Sequence, residues 1–121
     1  MAERRKAYTR AQREKVHRKC NGHCAYCGTA IALEEMTIDH YFPLRKGGAD
    51  AMVNLMPACR SCNQIKATYT IEQFRAVIQR WPDVLRRNSS TYRNAVRWGL
   101  VTASPRKVKF YFETMMEAVN Q

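Results

Sequence analysis

Two tight cysteine pairs decide the fold: Cys24-Ala25-Tyr26-Cys27, and Cys59-Arg60-Ser61-Cys62 with Asn63 directly after it. Each C-x-x-C offers two thiolates at zinc-knuckle spacing, where a tight turn lets both sulfurs reach one tetrahedral ion at about 2.3 Å. Together Cys24, Cys27, Cys59 and Cys62 complete a closed four-sulfur set, which predicts a structural Zn²⁺. A closed set keeps no coordination position for a substrate, so this ion holds the fold and does no chemistry. A redox-active C-x-x-C is the rival, but such motifs come singly at a strand–helix junction. The fifth thiol, Cys20, makes a C-x-x-x-C with Cys24 and has His23 close by. It falls at the end of an expected helix, before Asn21-Gly22, which suits a small buried residue better than a ligand.

Five cysteines, an odd number in tight pairs, do not make a secreted disulfide framework. The start, Ala2-Glu3-Arg4-Arg5-Lys6, leads into no apolar signal region, so reduced thiols and a cytoplasmic protein are expected. No stretch approaches the ~18 apolar residues of a membrane span. At 121 residues and 45% hydrophobic, the chain has the size of one domain, 1–121, and is too short for two independent cores. Its 21 Lys and Arg against 10 Asp and Glu leave a formal charge of +11. Such a surface concentrates polyanions, making nucleic acid the leading partner and a merely solubilising surface the alternative.

Residues 1–20 hold eight basic side chains and two acids, an arm or basic helix. Thr9 and Gln12 read as a capping box and Asn21-Gly22 as a stop, predicting a helix near 10–20. The knuckles are separated by 31 residues, against about 15–20 in a plain zinc ribbon, so something is inserted. Within the insert, residues 36–42 are strand-like up to Pro43, Arg45-Lys46-Gly47-Gly48 is a basic turn, and 53–58 returns to the second knuckle. Residues 63–68 are helix-compatible, and Thr70 with Gln73 is a second capping box. Ile71, Phe74, Val77, Ile78 and Trp81 then mark one helical face, stopped by Pro82. Residues 90–98 look helical with Gly99 as the stop, Val108, Phe110 and Phe112 alternate as a half-buried strand, and 113–119 form a last helix. The expected class is therefore α+β: an N-terminal basic helix, a zinc-stapled, treble-clef-like core over 21–68, and a C-terminal extension, 69–121, of helices plus a short strand.

Four polar residues suit phosphodiester hydrolysis. The Asp39 carboxylate and Asn63 amide oxygen are hard donors for a Mg²⁺ or Mn²⁺ that takes a phosphate oxygen. His40 can accept a proton from an attacking water near neutral pH, and Asn54 can fix the imidazole directly or through backbone. Neighbouring strand residues point to opposite faces, so Asp39 and His40 require a bulge or a strand end to meet at one phosphate. Arg45, Lys46, Arg60 and Lys66 are candidate phosphate contacts, with a solvated face as the alternative. Asn63 also suits a helix cap. Tyr92, Arg93, Arg97 and Trp98 set aromatics among basic groups, which can mark a nucleic-acid surface, though helical spacing places Trp98 and Val101 in the core.

At these residues the sequence resembles the His-Asn-His (HNH) endonucleases, the ββα-metal nucleases. The matching run is Cys24-x-x-Cys27-Gly28, Ile38-Asp39-His40, Pro43, Gly47-Gly48, Asn54-Leu55 and Cys59-x-x-Cys62-Asn63-x-x-Lys66. The resemblance covers about residues 10–68. It implies a zinc-clamped hairpin and helix, His40 as general base, Asn54 steadying the hairpin, Asp39 and Asn63 as divalent-metal ligands, and metal-dependent nicking or cleavage of DNA. Asn63 stands where the family name has histidine, which favours Mg²⁺ or Mn²⁺ over softer ions. Small bacterial and phage nucleases of this family have similar tails, which implies a bacterial or phage-infected cell as the setting. One catalytic centre on a monomer would most simply cut one strand at a time. The alternatives are a zinc-dependent nucleic-acid-binding module that does not cut, and a zinc adaptor for an acidic protein.

Overall fold

In the computed structural model, which describes residues 7–119, Thr9 opens the first helix, α1 (Arg10–Lys19). Its hydroxyl accepts the Gln12 N–H while the Gln12 side chain accepts the Thr9 N–H. The remainder of the predicted basic arm, 1–6, lies outside the described residues. Cys20 caps the end of α1 and is buried. Part of the helix's charge is spent inward. Arg13 donates to the Leu33 and Met36 carbonyls at 2.7 and 2.8 Å, and Lys19 to those of Met52 and Leu55, so α1 ties down both ends of the insert.

The insert forms a two-stranded antiparallel sheet, β1 (Thr37–His40) with β2 (Leu55–Ala58), in the register Thr37↔Ala58 to His40↔Leu55. The ladder has no bulge, and His40 is the last residue of its strand. Alternation puts Ile38 and His40 on one face and Thr37 and Asp39 on the other. Ile38 and Leu55 pack with Val16, Ile31 and Met36 into a small cluster under α1. A larger cluster on the other side joins Cys20, Cys24, Tyr26, Ala58, Phe74 and Phe110. Helix α2 (Arg60–Lys66) packs over β1, and its N-cap is Cys59, whose sulfur accepts the Cys62 N–H. Asn63 sits inside this helix, so it does not serve as the helix cap.

Beyond the insert, Thr70 and Gln73 form the second capping box at the head of α3 (Ile71–Gln79). Pro82 does not stop that helix. It lies in the first turn of a further helix that the sequence does not predict, α4 (Trp81–Asn88), where a residue without N–H leaves no helical bond unmade. α5 (Ser90–Arg97) starts at a Ser89 cap and ends at Gly99, whose φ of 74° is left-handed. Trp98 and Val101, expected in the core, are 75% and 41% exposed.

The strand expected at Val108–Phe112 is also absent. Residues 101–110 have no regular structure, and α6 (Tyr111–Val119) begins two residues earlier than predicted. No strand lies alongside to pair with this segment among the described residues. Instead the N–H groups of Tyr111 and Phe112 donate to the Tyr26 and Ala25 carbonyls, and Glu113 accepts from Phe110 N–H. The alternation in the sequence reflects aromatics laid against Tyr26: Phe74, Phe110 and Phe112 meet its ring edge-on at 5.5, 5.6 and 6.3 Å. Arg75 of α3 clamps the arrangement. It stacks over Phe110, bonds the Val108 carbonyl and pairs with Glu113, whose carboxyl it holds below the usual range. Among the described residues, no helix is long and apolar enough to cross a membrane.

Candidate metal centre and catalytic cavity

The first knuckle is a closed turn: Cys24 N–H reaches Thr29 O at 2.8 Å, Gly28 N–H returns to Cys24 O at 3.0 Å, and Gly28 has a φ of +79°. The second lies at the head of α2. All four sulfurs of Cys24, Cys27, Cys59 and Cys62 fall within 4.8 Å of one another, and the Cys27–Cys59 pair is 3.8 Å apart. A tetrahedron with arms of about 2.3 Å has edges of about 3.8 Å, so the four cysteines are positioned to bind a metal such as zinc. Backbone N–H groups of Tyr26 and Cys62 point at the Cys24 and Cys59 sulfurs. The Cys62 side-chain hydrogen bond, with the Cys59, Cys27 and Tyr26 amides and against the opposing effect of burial, holds the Cys24 thiol down to about 4, while the same contact pushes Cys62 up. Sulfurs crowded this closely favour a shared cation over four separate protons. Cys20 stands outside the set, as expected.

A cavity of about 310 Å³ opens beside α2, lined by Asp39, His40, Arg45, Asn63 and Thr68 among others. Asp39 is 5% exposed. Its Oδ2 accepts the Tyr26 hydroxyl at 2.5 Å and the Lys66 ammonium at 2.9 Å. Burial, then the neighbouring carboxylate, pushes the Tyr26 hydroxyl above its usual range, so it stays a donor. The Asn63 amide donates to Thr37 Oγ1 at 3.0 Å. Among the described residues neither Asp39 Oδ1 nor Asn63 Oδ1 has a hydrogen-bond partner, so each offers one uncommitted oxygen. That donor chemistry fits a hard divalent cation.

Lys66, a candidate phosphate contact by residue type, is wholly buried. Its ammonium bridges Asp39 and the His40 carbonyl, the latter at 2.9 Å, so it is a structural cation and not a surface one. Arg45 and Arg60 are exposed, Arg45 at the cavity; Lys46 is exposed but donates to Thr68 O and Gln73 Oε1.

His40 directs its Nε2 to the Asp50 carboxylate at 2.9 Å and the Tyr8 hydroxyl at 3.3 Å. Among the described residues, Asn54 makes no hydrogen bond to the imidazole. Its side chain clasps the loop between the strands, accepting from Phe42 N–H at 2.8 Å and donating to Phe42 O and Ala49 O at 2.9 and 2.8 Å, while its carbonyl takes Tyr41 N–H. Tyr8, Tyr26 and Asp50 are site residues that the sequence does not single out, because none stands in a motif of its own.

The loop closes so tightly that a Cβ on Gly48 would sit 1.9 Å from the Phe42 carbonyl oxygen. Gly48→Ala is expected to push the backbone apart at the Asn54 clasp and cost about 1–3 kcal/mol in chemical denaturation. Gly47, whose φ is +94° but whose Cβ would meet nothing, costs about 1 kcal/mol as Gly47→Ala. Equal midpoints for Gly48→Ala and wild type would contradict the close approach.

No curated protein matches the chain. Residues 24–68 match the HNH endonuclease family model, and HNH domains act on nucleic acids. The match spans the segment that carries the sulfur cluster, the strand end at Asp39-His40, the Asn54 clasp and the head of α2, so this segment is similar to HNH endonucleases.

Proposed function

We propose that the protein is a divalent-metal-dependent DNA endonuclease that nicks one strand at a time, working as a cytoplasmic monomer with residues 1–121 as one domain. The observation that carries this reading is the cavity lined together by Asp39, His40 and Asn63, within the segment that matches the HNH family model. His40 takes a proton from water as its oxygen attacks phosphorus and the P–O bond to the departing sugar oxygen breaks, that oxygen taking a proton from solvent; general-base help of this kind is typically worth about 10²–10⁴-fold. Asp39 and Asn63 would hold the catalytic Mg²⁺ or Mn²⁺. When bound, that ion neutralises charge on the phosphate and the leaving oxygen. Asn54 holds the shape of the loop beside the base, and Cys24, Cys27, Cys59 and Cys62 hold a structural Zn²⁺. Arg45, Arg60, Lys46 and the outward side of α1 supply salt-sensitive, sequence-independent affinity for DNA.

The test is nicking of supercoiled plasmid in Mg²⁺ or Mn²⁺. Wild type is expected to produce open circles, and His40→Ala to slow their appearance by at least about 10²-fold. Plasmid left equally intact by both overturns the reading. The second reading is a zinc-dependent nucleic-acid-binding module without catalysis, favoured by the internal cation already on Asp39; it predicts salt-dependent DNA binding with no nicked product.

A further inference from the structure

We propose that Asp50, braced by Tyr8, is a positioning residue that sets the tautomer of His40 and turns its bare nitrogen to the cavity; this rests on reading His40 as the base. The Asp50 Oδ1 lies 2.9 Å from His40 Nε2, and the Tyr8 hydroxyl donates to that same oxygen at 2.8 Å. A carboxylate can only accept, so the ring nitrogen facing it carries the proton. In the neutral ring the lone pair available to a water is then on Nδ1. Among the described residues Nδ1 makes no hydrogen bond, and it is not one of the atoms sealed from solvent without a partner. The ring itself lines the cavity. The opposite tautomer would present an N–H where a base needs a lone pair.

Both supports are themselves held. Asp50 follows Ala49, whose carbonyl receives the Asn54 amide, so the Asn54 clasp acts on the imidazole through the loop and not by a hydrogen bond to it. Tyr8 precedes the Thr9 cap of α1 and lies outside the family match of residues 24–68. The two residues reach His40 from different elements, and neither is a ligand in either metal set.

The experiment uses the full zinc-loaded chain with Asp50→Ala, Asp50→Asn and Tyr8→Phe. Plasmid nicking by Asp50→Ala is expected to lose on the order of 10- to 100-fold in kcat with KM for DNA unchanged. Asp50→Asn can face Nε2 with either its oxygen or its amide N–H, so its kcat is expected to follow the fraction of Nε2–H tautomer that it retains. Tyr8→Phe removes the brace on Asp50 and the longer 3.3 Å contact to Nε2 but leaves the carboxylate in place, and is expected to lose less than Asp50→Ala. Nitrogen-15 spectra of labelled histidine, recorded where the ring is neutral, should show His40 as the Nε2–H tautomer in wild type and as a mixture in Asp50→Ala. Wild-type kcat in Asp50→Ala, a Nδ1–H tautomer in wild type, or a kcat in Asp50→Asn that does not follow its Nε2–H fraction would overturn the assignment. If wild type does not nick at all, the nuclease reading falls, and the ring-nitrogen spectra still decide whether Asp50 sets the tautomer.

Discussion

Stripping the ion from the four-cysteine centre is expected to unfold the protein. The apolar clusters on either side of the sheet are small, and Cys59 packs against both of them, so the sulfur cluster is where the two halves of the core are joined. Apparent binding free energies of structural zinc run to about 10–16 kcal/mol, as large as the entire stability of a typical domain. Without the ion, sulfurs within 4.8 Å of one another must repel as thiolates or take up protons one by one. Circular dichroism during a thermal ramp should therefore show a cooperative transition that disappears with a strong chelator, and Cys59→Ala should behave like the chelated protein. Cys20→Ala is the control: it should bind the same one ion per chain. A chelated protein that melts at the wild-type temperature would show that the metal does not hold the fold.

Lys66→Met should destabilise the protein by about 3–5 kcal/mol, a scale set by removal of one partner from a buried ion pair. Lys66 has no exposed surface, and its ammonium is placed against the Asp39 carboxylate and the His40 carbonyl. Methionine keeps most of the stem, so the loss isolates the charge: a carboxylate at 5% exposure would keep only the Tyr26 hydroxyl. The added change Asp39→Asn, which removes the orphaned charge, should return much of the stability even though it takes the negative charge from a proposed metal ligand. Urea midpoints decide the matter. A Lys66→Met midpoint equal to wild type would mean that the ammonium is not balancing Asp39.

The parts of this fold that are legible in the sequence are those written in local chemistry. The boxes at Thr9 and Thr70 and the stop at Gly99 are spelled by residues three or four apart, and the knuckles by their spacing. Sequence and structure part where a local pattern has a tertiary cause. Val108, Phe110 and Phe112 alternate because they lie against an aromatic cluster, not because a strand forms, and Pro82 begins a helix instead of ending one. Trp98 caps the end of α5, a helix that packs chiefly against α4, and is left exposed there. In the site, Asp39, His40, Asn54 and Asn63 are recognisable through a resemblance covering all four. Lys66 is easily mistaken for a surface cation because a basic residue's type says nothing of which way its ammonium points. Tyr8 and Asp50 are invisible: they reach His40 from 32 and 10 residues away, across two different loops.

The way Phe74, Phe110 and Phe112 enclose Tyr26 bears on how portable the segment 24–68 is. Tyr26 is a spacer between two sulfur ligands, yet its hydroxyl grips Asp39 and its ring is covered by residues lying beyond Thr68. A graft of residues 24–68 into another scaffold would carry every signature side chain and leave that ring facing water. The smallest transplantable piece therefore extends through α6, because the tail supplies the wall behind the carboxylate.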